Sequence, residues 1–321
     1  MMNPSSKKKP MVILTGPTAV GKTALSIELA KRINGAVISA DSMQVYKHMD
    51  IGSAKIMPEE MQGIKHYLID EFEPDEEFHV VRFVERAKHC LEEIYADKKI
   101  PIIAGGTGFY IQALLYDIDF TEQEGDPAYR ASLEQLAVKK GADYLHGMLR
   151  TVDPASADAI HANNIKRVIR ALEFYHLSGS RISEHNEKER QKTSPYNFAY
   201  FVLTDDRAHL YERIDWRVDL MVEQGLVDEV RHLKDMGYHK EMVSMQGLGY
   251  KEILSYLDGE MTLEEAIYII KRETRHFAKR QLTWFRRERD VIWFDKAAYH
   301  YNEEQILADM LQVLKKKQIL P

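Results

Sequence analysis

The residues with the plainest chemical meaning are Gly16-Pro17-Thr18-Ala19-Val20-Gly21-Lys22-Thr23: a glycine, four residues, then Gly-Lys-Thr. This spacing is that of a phosphate loop, in which backbone N–H groups converge on an anion at the start of a helix. Lys22 adds a point charge for the terminal phosphates. Thr23 offers a hydroxyl to Mg²⁺, an ion that keeps several waters and takes further ligands from phosphate oxygens. The loop must be held between a strand and a helix, and the flanks supply both. Met11 to Thr15 is a short apolar run that predicts a buried parallel strand, and Ala24 to Ile33 continues as an amphipathic helix. Left open at this point are the phosphate compound and whether phosphate is transferred at all.

A chain of 321 residues exceeds the size at which one core stops growing, so two lobes are expected. Apolar residues at 45% and charged residues at 29% exclude a disordered or fibrous class. The single cysteine, Cys90, allows neither an internal disulfide nor a cysteine metal cluster. It lies beside the ridge Val80, Val84, Ala87, Leu91 and Ile94 of a predicted helix from Val80 to Lys98, which makes it a buried structural thiol. No apolar run reaches membrane-spanning length, and the first ten residues are polar and lysine-bearing, so a cytoplasmic monomer without membrane attachment is expected. The net charge of −6 argues against blanket nucleic-acid affinity but leaves local basic faces open.

Along the chain, Asn34-Gly35 caps the first helix and Ala36 to Ser39 forms a second strand, which runs into Asp41-Ser42-Met43-Gln44. An acid at that strand end lies where parallel α/β sheets place ligands. Asp41 is therefore read as a base, a Mg²⁺ partner or a cap of the following turn. The acids within Lys65 to Glu77 read as a solvated edge. Ile100 to Ala104 supplies a third strand, ending in Gly105-Gly106-Thr107-Gly108. Many phosphate-loop ATPases carry an aspartate there to organise Mg²⁺ and water, and its absence weakens a motor or switch reading.

From Tyr116 to about Pro195 the strand pattern stops. Asp126-Pro127 opens a helix closed by Gly141, Asp153-Pro154 opens another, and Asn163 or Asn164 caps a third that ends at Ser178-Gly179. This predicts a helical insertion, 120–195, within a discontinuous α/β core, 1–119 and 196–321. The third helix carries Lys166, Arg167 and Arg170, a solvated or a phosphate-contacting face. Ser183 to Ser194 reads as a mobile return linker. Phe198 to Leu203 resumes the sheet, and a helix from Arg207 to Gln224 bears Arg213 and Arg217 on one face. The most basic stretch, Lys271 to Arg289, puts Ile270, Phe277, Gln281 and Trp284 on one helical face. Arg272, Arg275, Lys279 and Arg286 fall within a sector of roughly 60° on another. An apolar back with a basic front suits a helix lining a polyanion. Val291 to Phe294 is the last predicted strand, followed by a helix from Glu303 to Lys317.

Together, Gly16 to Thr23, Asp41-Ser42-Met43-Gln44-Val45-Tyr46, Asp50-Ile51-Gly52-Ser53-Ala54-Lys55, Gly105 to Tyr110, Arg167 to Glu173 and Lys279 to Arg286 resemble the bacterial tRNA dimethylallyltransferase family. The match covers nearly the whole chain in order. His48, Ser53 and Tyr67 depart from the family's usual glycine, threonine and histidine. The resemblance implies a P-loop NTPase-like parallel sheet flanked by helices, with an inserted all-helical lobe. It also implies transfer of a dimethylallyl group from dimethylallyl diphosphate to N6 of adenosine 37, beside the tRNA anticodon, with Mg²⁺ as cofactor. Asp41 would take the amine's proton. Lys22, the loop N–H groups, Mg²⁺ at Thr23 and Arg217 would stabilise departing diphosphate, and Thr18 would bond the diphosphate or orient the base. The target base would leave its stack to enter the site. Ser42, Met43 and Gln44 would read it, with Gly106 and Thr107 beside it. Lys166, Arg167 and Arg170, and Arg272, Arg275, Lys279, Arg280 and Arg286, would grip the anticodon stem-loop. The rival readings are a small-molecule kinase, an RNA-binding nucleotide switch, and an isopentenyltransferase acting on free adenine nucleotides.

Overall fold

The apolar runs become parallel strands because both of their faces are covered by helices. The computed structural model describes residues 8–120 and 126–321. Strand β1 (Lys9–Thr15) leads into α1 (Lys22–Ile33), β2 (Gly35–Ser39), β3 (His66–Tyr67), α2 (Val80–Ala96), β4 (Ile100–Gly105) and α3 (Gly108–Leu115). Five helices follow: α4 (Pro127–Lys140), α5 (Ala142–Val152), α6 (Pro154–Ala159), α7 (Ile165–Ser178) and α8 (Ile182–Gln191). The sheet resumes with β5 (Tyr196–Thr204), then α9 (Arg207–Glu223), α10 (Leu226–Asp235), a 3₁₀ turn, α11 (Tyr250–Leu257), α12 (Leu263–Phe285), β6 (Val291–Asp295) and α13 (Glu303–Lys316).

The six strands are ordered β3-β2-β4-β1-β5-β6, every pair parallel. Because β4 sits between β1 and β2, the chain leaves β1 in one direction and later continues from it in the other. The crevice at such a reversal, outside the carboxyl ends of the strands, is where open parallel sheets bind ligands. Thr15 locks that edge by donating its hydroxyl to the Gly105 carbonyl at 2.6 Å. On one face, Leu25, Leu29 and Ile33 of α1, Ile214 of α9 and Met310 and Leu314 of α13 bury Val12, Leu14, Phe201 and Leu203.

By internal contacts the chain forms two compact units, Met1–Leu115 with Pro195–Pro321, and Tyr116–Ser194. The second has its own core, built from Leu133, Leu145, Leu149, Val168 and Leu172. Buried Asp153 caps α6 through the Ser156 N–H and also accepts the N–H and hydroxyl of Ser183 at 3.0 and 2.6 Å. That second pair of bonds corrects the linker expectation, since Ile182–Gln191 is a helix with no buried residue. Its glutamates, lysine and arginine favour helix, but without an apolar stripe it leaves no periodic signal.

The acidic run also differs from a purely solvated edge. Within it lies β3, and its acids have local partners. Glu71 binds Arg86 at 2.7 Å, Glu73 binds Lys47 at 2.8 Å, and Asp70 pairs with the buried Lys55. Cys90 is buried, and dehydration pushes its thiol up to about 12. No helix among the described residues is long and apolar enough to cross a membrane.

Candidate functional site at the phosphate loop

The loop begins at Gly16, whose φ is 150° and whose missing Cβ would lie 2.5 Å from the Leu203 carbonyl, so only glycine lets β1 turn here beside β5. Pro17, Thr18, Ala19 and Val20 follow, Val20 plugging into the core, and Gly21 at φ 100° starts α1. Lys22 folds back over the loop and donates to the carbonyls of Gly16 and Pro17 at 3.0 and 2.9 Å. Burial lowers its pKa to about 8, against the attraction of Asp41 and with some help from the positive charge of Arg217. Thr23 is exposed at the head of α1.

Asp41 follows β2. Its Oδ1 accepts the Met43 N–H at 2.9 Å, so it does cap the turn into Ser42, Met43 and Gln44. Asp41 is half-buried, and the surrounding protein dehydrates its carboxyl. The net effect is a pKa above the ordinary aspartate value, only partly offset by the Met43 N–H and by Lys22. Gln44 is held on both ends, Oε1 accepting from Ser39 at 3.1 Å and Nε2 donating to the Ala54 carbonyl at 3.1 Å. Met43 reaches the turn at Gly247, where an added Cβ would lie 2.5 Å from its Cε.

From α9, Arg213 donates Nε to the Ala19 carbonyl at 2.8 Å, fixing the crest of the loop. Arg217, one turn on, is half-buried, and burial followed by repulsion from Arg213 lowers its pKa. A dehydrated guanidinium among other cations is what an anion site needs. Lys22 thus lies within electrostatic reach of both Asp41 and Arg217.

Gly106 and Thr107, also predicted as contacts, are engaged within the protein. Gly106 is buried and its carbonyl accepts from Gln281 at 3.0 Å, while Thr107 N–H donates to the Ala40 carbonyl at 3.1 Å. The glycines of this turn serve close packing: an added Cβ on Gly105 would lie 2.3 Å from the Ala40 carbonyl oxygen, and one on Gly108 2.3 Å from the Trp284 ring.

On α12 the basic face divides. Arg275 forms a two-oxygen ion pair with Asp215 of α9 at 2.5 and 2.7 Å, and Arg272 pairs with neighbouring Glu273. Lys279, Arg280 and Arg286 are exposed. Arg286 stands just past the helix end, as its cap. His276, Lys279, Arg280, Thr283, Trp284 and Arg287 line an open cleft of about 400 Å³. In the helical unit, Lys166, Arg167 and Arg170 are exposed on α7, whose other face buries Val168, Ile169 and Leu172.

The sequence places Gln281 and Arg213 on helical faces without assigning either a role, and it does not single out Glu229. Gln281 stood on the apolar face of a predicted helix, and a buried amide must find partners. That was the available signal. Arg213 and Glu229 bond to backbone far away in sequence, which spacing does not reveal.

A parallel sheet with a phosphate loop at its reversal point, a dehydrated carboxylate beside it and the cation Lys22 within it defines a P-loop-like fold with an anion-binding loop. The chain belongs to the IPP transferase family, whose pattern it matches over residues 44–288. It is 62% identical to the tRNA dimethylallyltransferase of Lachnoclostridium phytofermentans over 97% of this chain and 99% of that protein. It is 54% identical to that of Acetivibrio thermocellus, over 92% and 95%. Among solved structures it resembles the full-length tRNA isopentenylpyrophosphate transferase of Bacillus halodurans, with TM-score 0.73, 45% identity and coverage of 97% and 98%. A eukaryotic dimethylallyltransferase acting on tRNA matches with TM-score 0.78 and 32% identity, over 89% of this chain and 74% of that one.

Proposed function

We propose that the chain transfers the dimethylallyl group of dimethylallyl diphosphate to N6 of adenosine 37 in tRNA and releases diphosphate. What supports this reading is Lys22, dehydrated at the phosphate loop and facing both the raised carboxylate of Asp41 and the dehydrated guanidinium of Arg217. In the reaction the N6 lone pair attacks C1 of the donor, the C1–O bond breaks with its electrons going to diphosphate, and one N6 proton passes to Asp41. A carboxylate with an elevated pKa is a better base for that proton than an ordinary one.

Lys22, Arg217 and the N–H groups at the head of α1 would hold the charge that grows on the leaving oxygens. Thr18, with its backbone N–H fixed by Gln281 at 2.9 Å, keeps its hydroxyl for the diphosphate or for Asp41. Thr23 would meet Mg²⁺. Its exposed position suits an ion bound chiefly through phosphate oxygens and water, since no group of three or more His, Cys, Asp or Glu fit for a metal occurs among the described residues. When bound, the ion neutralises diphosphate charge.

Ser42, Met43 and Gln44, which follow Asp41, would meet the adenine and its neighbours, Gln44 with its amide already held by Ser39 and Ala54. The exposed cations of α7 and of α12 are read as contacts to the phosphates of the anticodon stem-loop. A kinase reading is disfavoured by the Gly105-Gly106 end of β4, which supplies no acid to organise Mg²⁺ and an attacking hydroxyl. The test is release of inorganic diphosphate from dimethylallyl diphosphate. It should require tRNA and vanish in Asp41→Asn, whereas phosphate transfer from ATP to a small acceptor would replace the reading with a kinase.

A further inference from the structure

The basic face of α12 and the phosphate loop are joined by one side chain. Gln281 is 6% exposed, and both ends of its amide are used. Its Oε1 accepts the Thr18 N–H at 2.9 Å and its Nε2 donates to the Gly106 carbonyl at 3.0 Å. The amide therefore ties the end of β1 to the end of β4 at the crevice where the sheet reverses. The fit is close: an added Cβ on Gly106 would lie 2.1 Å from Nε2. One turn further on, Trp284 fills the space left by Gly108 in the same way. Neighbouring Arg280 and Lys279 look outward from the same turn, into the open cationic cleft.

We propose that Gln281 is a positioning residue that makes the geometry of the phosphate loop depend on what α12 holds, so that seating a polyanion on Lys279 and Arg280 sets the Thr18 end of the loop for reaction. The proposal rests on the transferase reading above. A helix is rigid over one turn, so a shift imposed at Arg280 moves Gln281 with it. The two hydrogen bonds pass that shift to Thr18 and Gly106. Gln281 touches no reacting atom in this account. Its loss should reduce turnover while leaving both substrates to bind.

The test compares Gln281→Met, which keeps length and volume but removes both hydrogen bonds, with Gln281→Glu and the wild-type chain. Labelled dimethylallyl transfer to tRNA is measured well below each variant's melting temperature. For Gln281→Met, kcat should fall at least tenfold while KM for tRNA and for the donor changes less than threefold. Gln281→Glu supplies the signature that a packing role would not give. A protonated glutamic acid reproduces both hydrogen bonds of the amide, and burial holds the proton to higher pH. Its activity relative to wild type should therefore recover as pH is lowered, whereas the ratio for Gln281→Met stays flat. Gly106→Ala, which strikes the same contact from the other side, should lower kcat and add little to Gln281→Met. Unchanged kcat in Gln281→Met, or a pH-independent ratio for Gln281→Glu, would overturn the proposal while wild-type transfer stands. Absence of transfer by the wild type would overturn the underlying reading instead.

Discussion

The Glu229 carboxylate accepts the backbone N–H of Ile51 at 2.7 Å, across 178 residues of sequence. The same carboxylate takes the N–H groups of Asp50 and Gly52 and the hydroxyl of Tyr250, at 2.9, 3.0 and 2.9 Å. Gly52 lets the Tyr250 ring approach, since an added Cβ would lie 2.6 Å from it. The clamped turn ends at Ala54, whose carbonyl holds Gln44, so α10 and α11 steady the segment that follows Asp41. Glu229→Ala leaves four donors without their acceptor and should cost about 2–3 kcal/mol of stability, given about 1–3 kcal/mol for each buried donor left unpaired and some rescue by water. Denaturant melts of Glu229→Ala and Glu229→Gln measure this, with Gln, which keeps one acceptor oxygen, expected between Ala and wild type.

Two groups of opposite sense set the pH dependence. Asp41 must lose its proton to act as a base, and its raised pKa moves the acid limb above the usual aspartate range. Lys22 must keep its proton to hold diphosphate, and its pKa of about 8 puts the alkaline limb of kcat/KM for the donor near that value. In kcat, which reports the bound complex, the alkaline limb should move upward because diphosphate charge stabilises the ammonium. An alkaline limb at the same pH in both profiles would assign it to another group.

Much of this arrangement is legible in the sequence, for identifiable reasons. The strand, loop and helix around Gly16 to Thr23 announce themselves because phosphate binding constrains residue type and period together. The runs at Ile100 and Phe198 read as strands because both faces are buried. Two residues of β3, His66 and Tyr67, are too few for any period, and α8 has no buried face to reveal it. Gly105, Gly106 and Gly108 are visible as glycines, but the partners that require them, Ala40, Gln281 and Trp284, are set by the tertiary fold. Arg275 illustrates the limit of the helical wheel. It falls on the basic face, yet Asp215 of α9 answers it.

This division of α12 has a measurable consequence. Each phosphate neutralised contributes about −0.9 to the slope of log K against log salt for duplex nucleic acid, and about −0.7 for single strands. Lys279→Ala and Arg280→Ala should each lower the magnitude of the slope for tRNA binding by roughly one. Arg275→Ala should leave the slope nearly unchanged. It should instead reduce turnover, because it frees α9, which carries Arg213 and Arg217. Filter binding over a salt series, with kcat measured in parallel, separates the two kinds of arginine.

The central claim is met most directly by incubating the chain with Mg²⁺, labelled dimethylallyl diphosphate and unmodified tRNA bearing adenosines at positions 36 and 37, with AMP and ATP as parallel acceptors. After nuclease digestion, the account predicts label on the adenosine of position 37 and none on free nucleotide. Label on AMP or ATP, or turnover of ATP with no labelled acceptor, would contradict it.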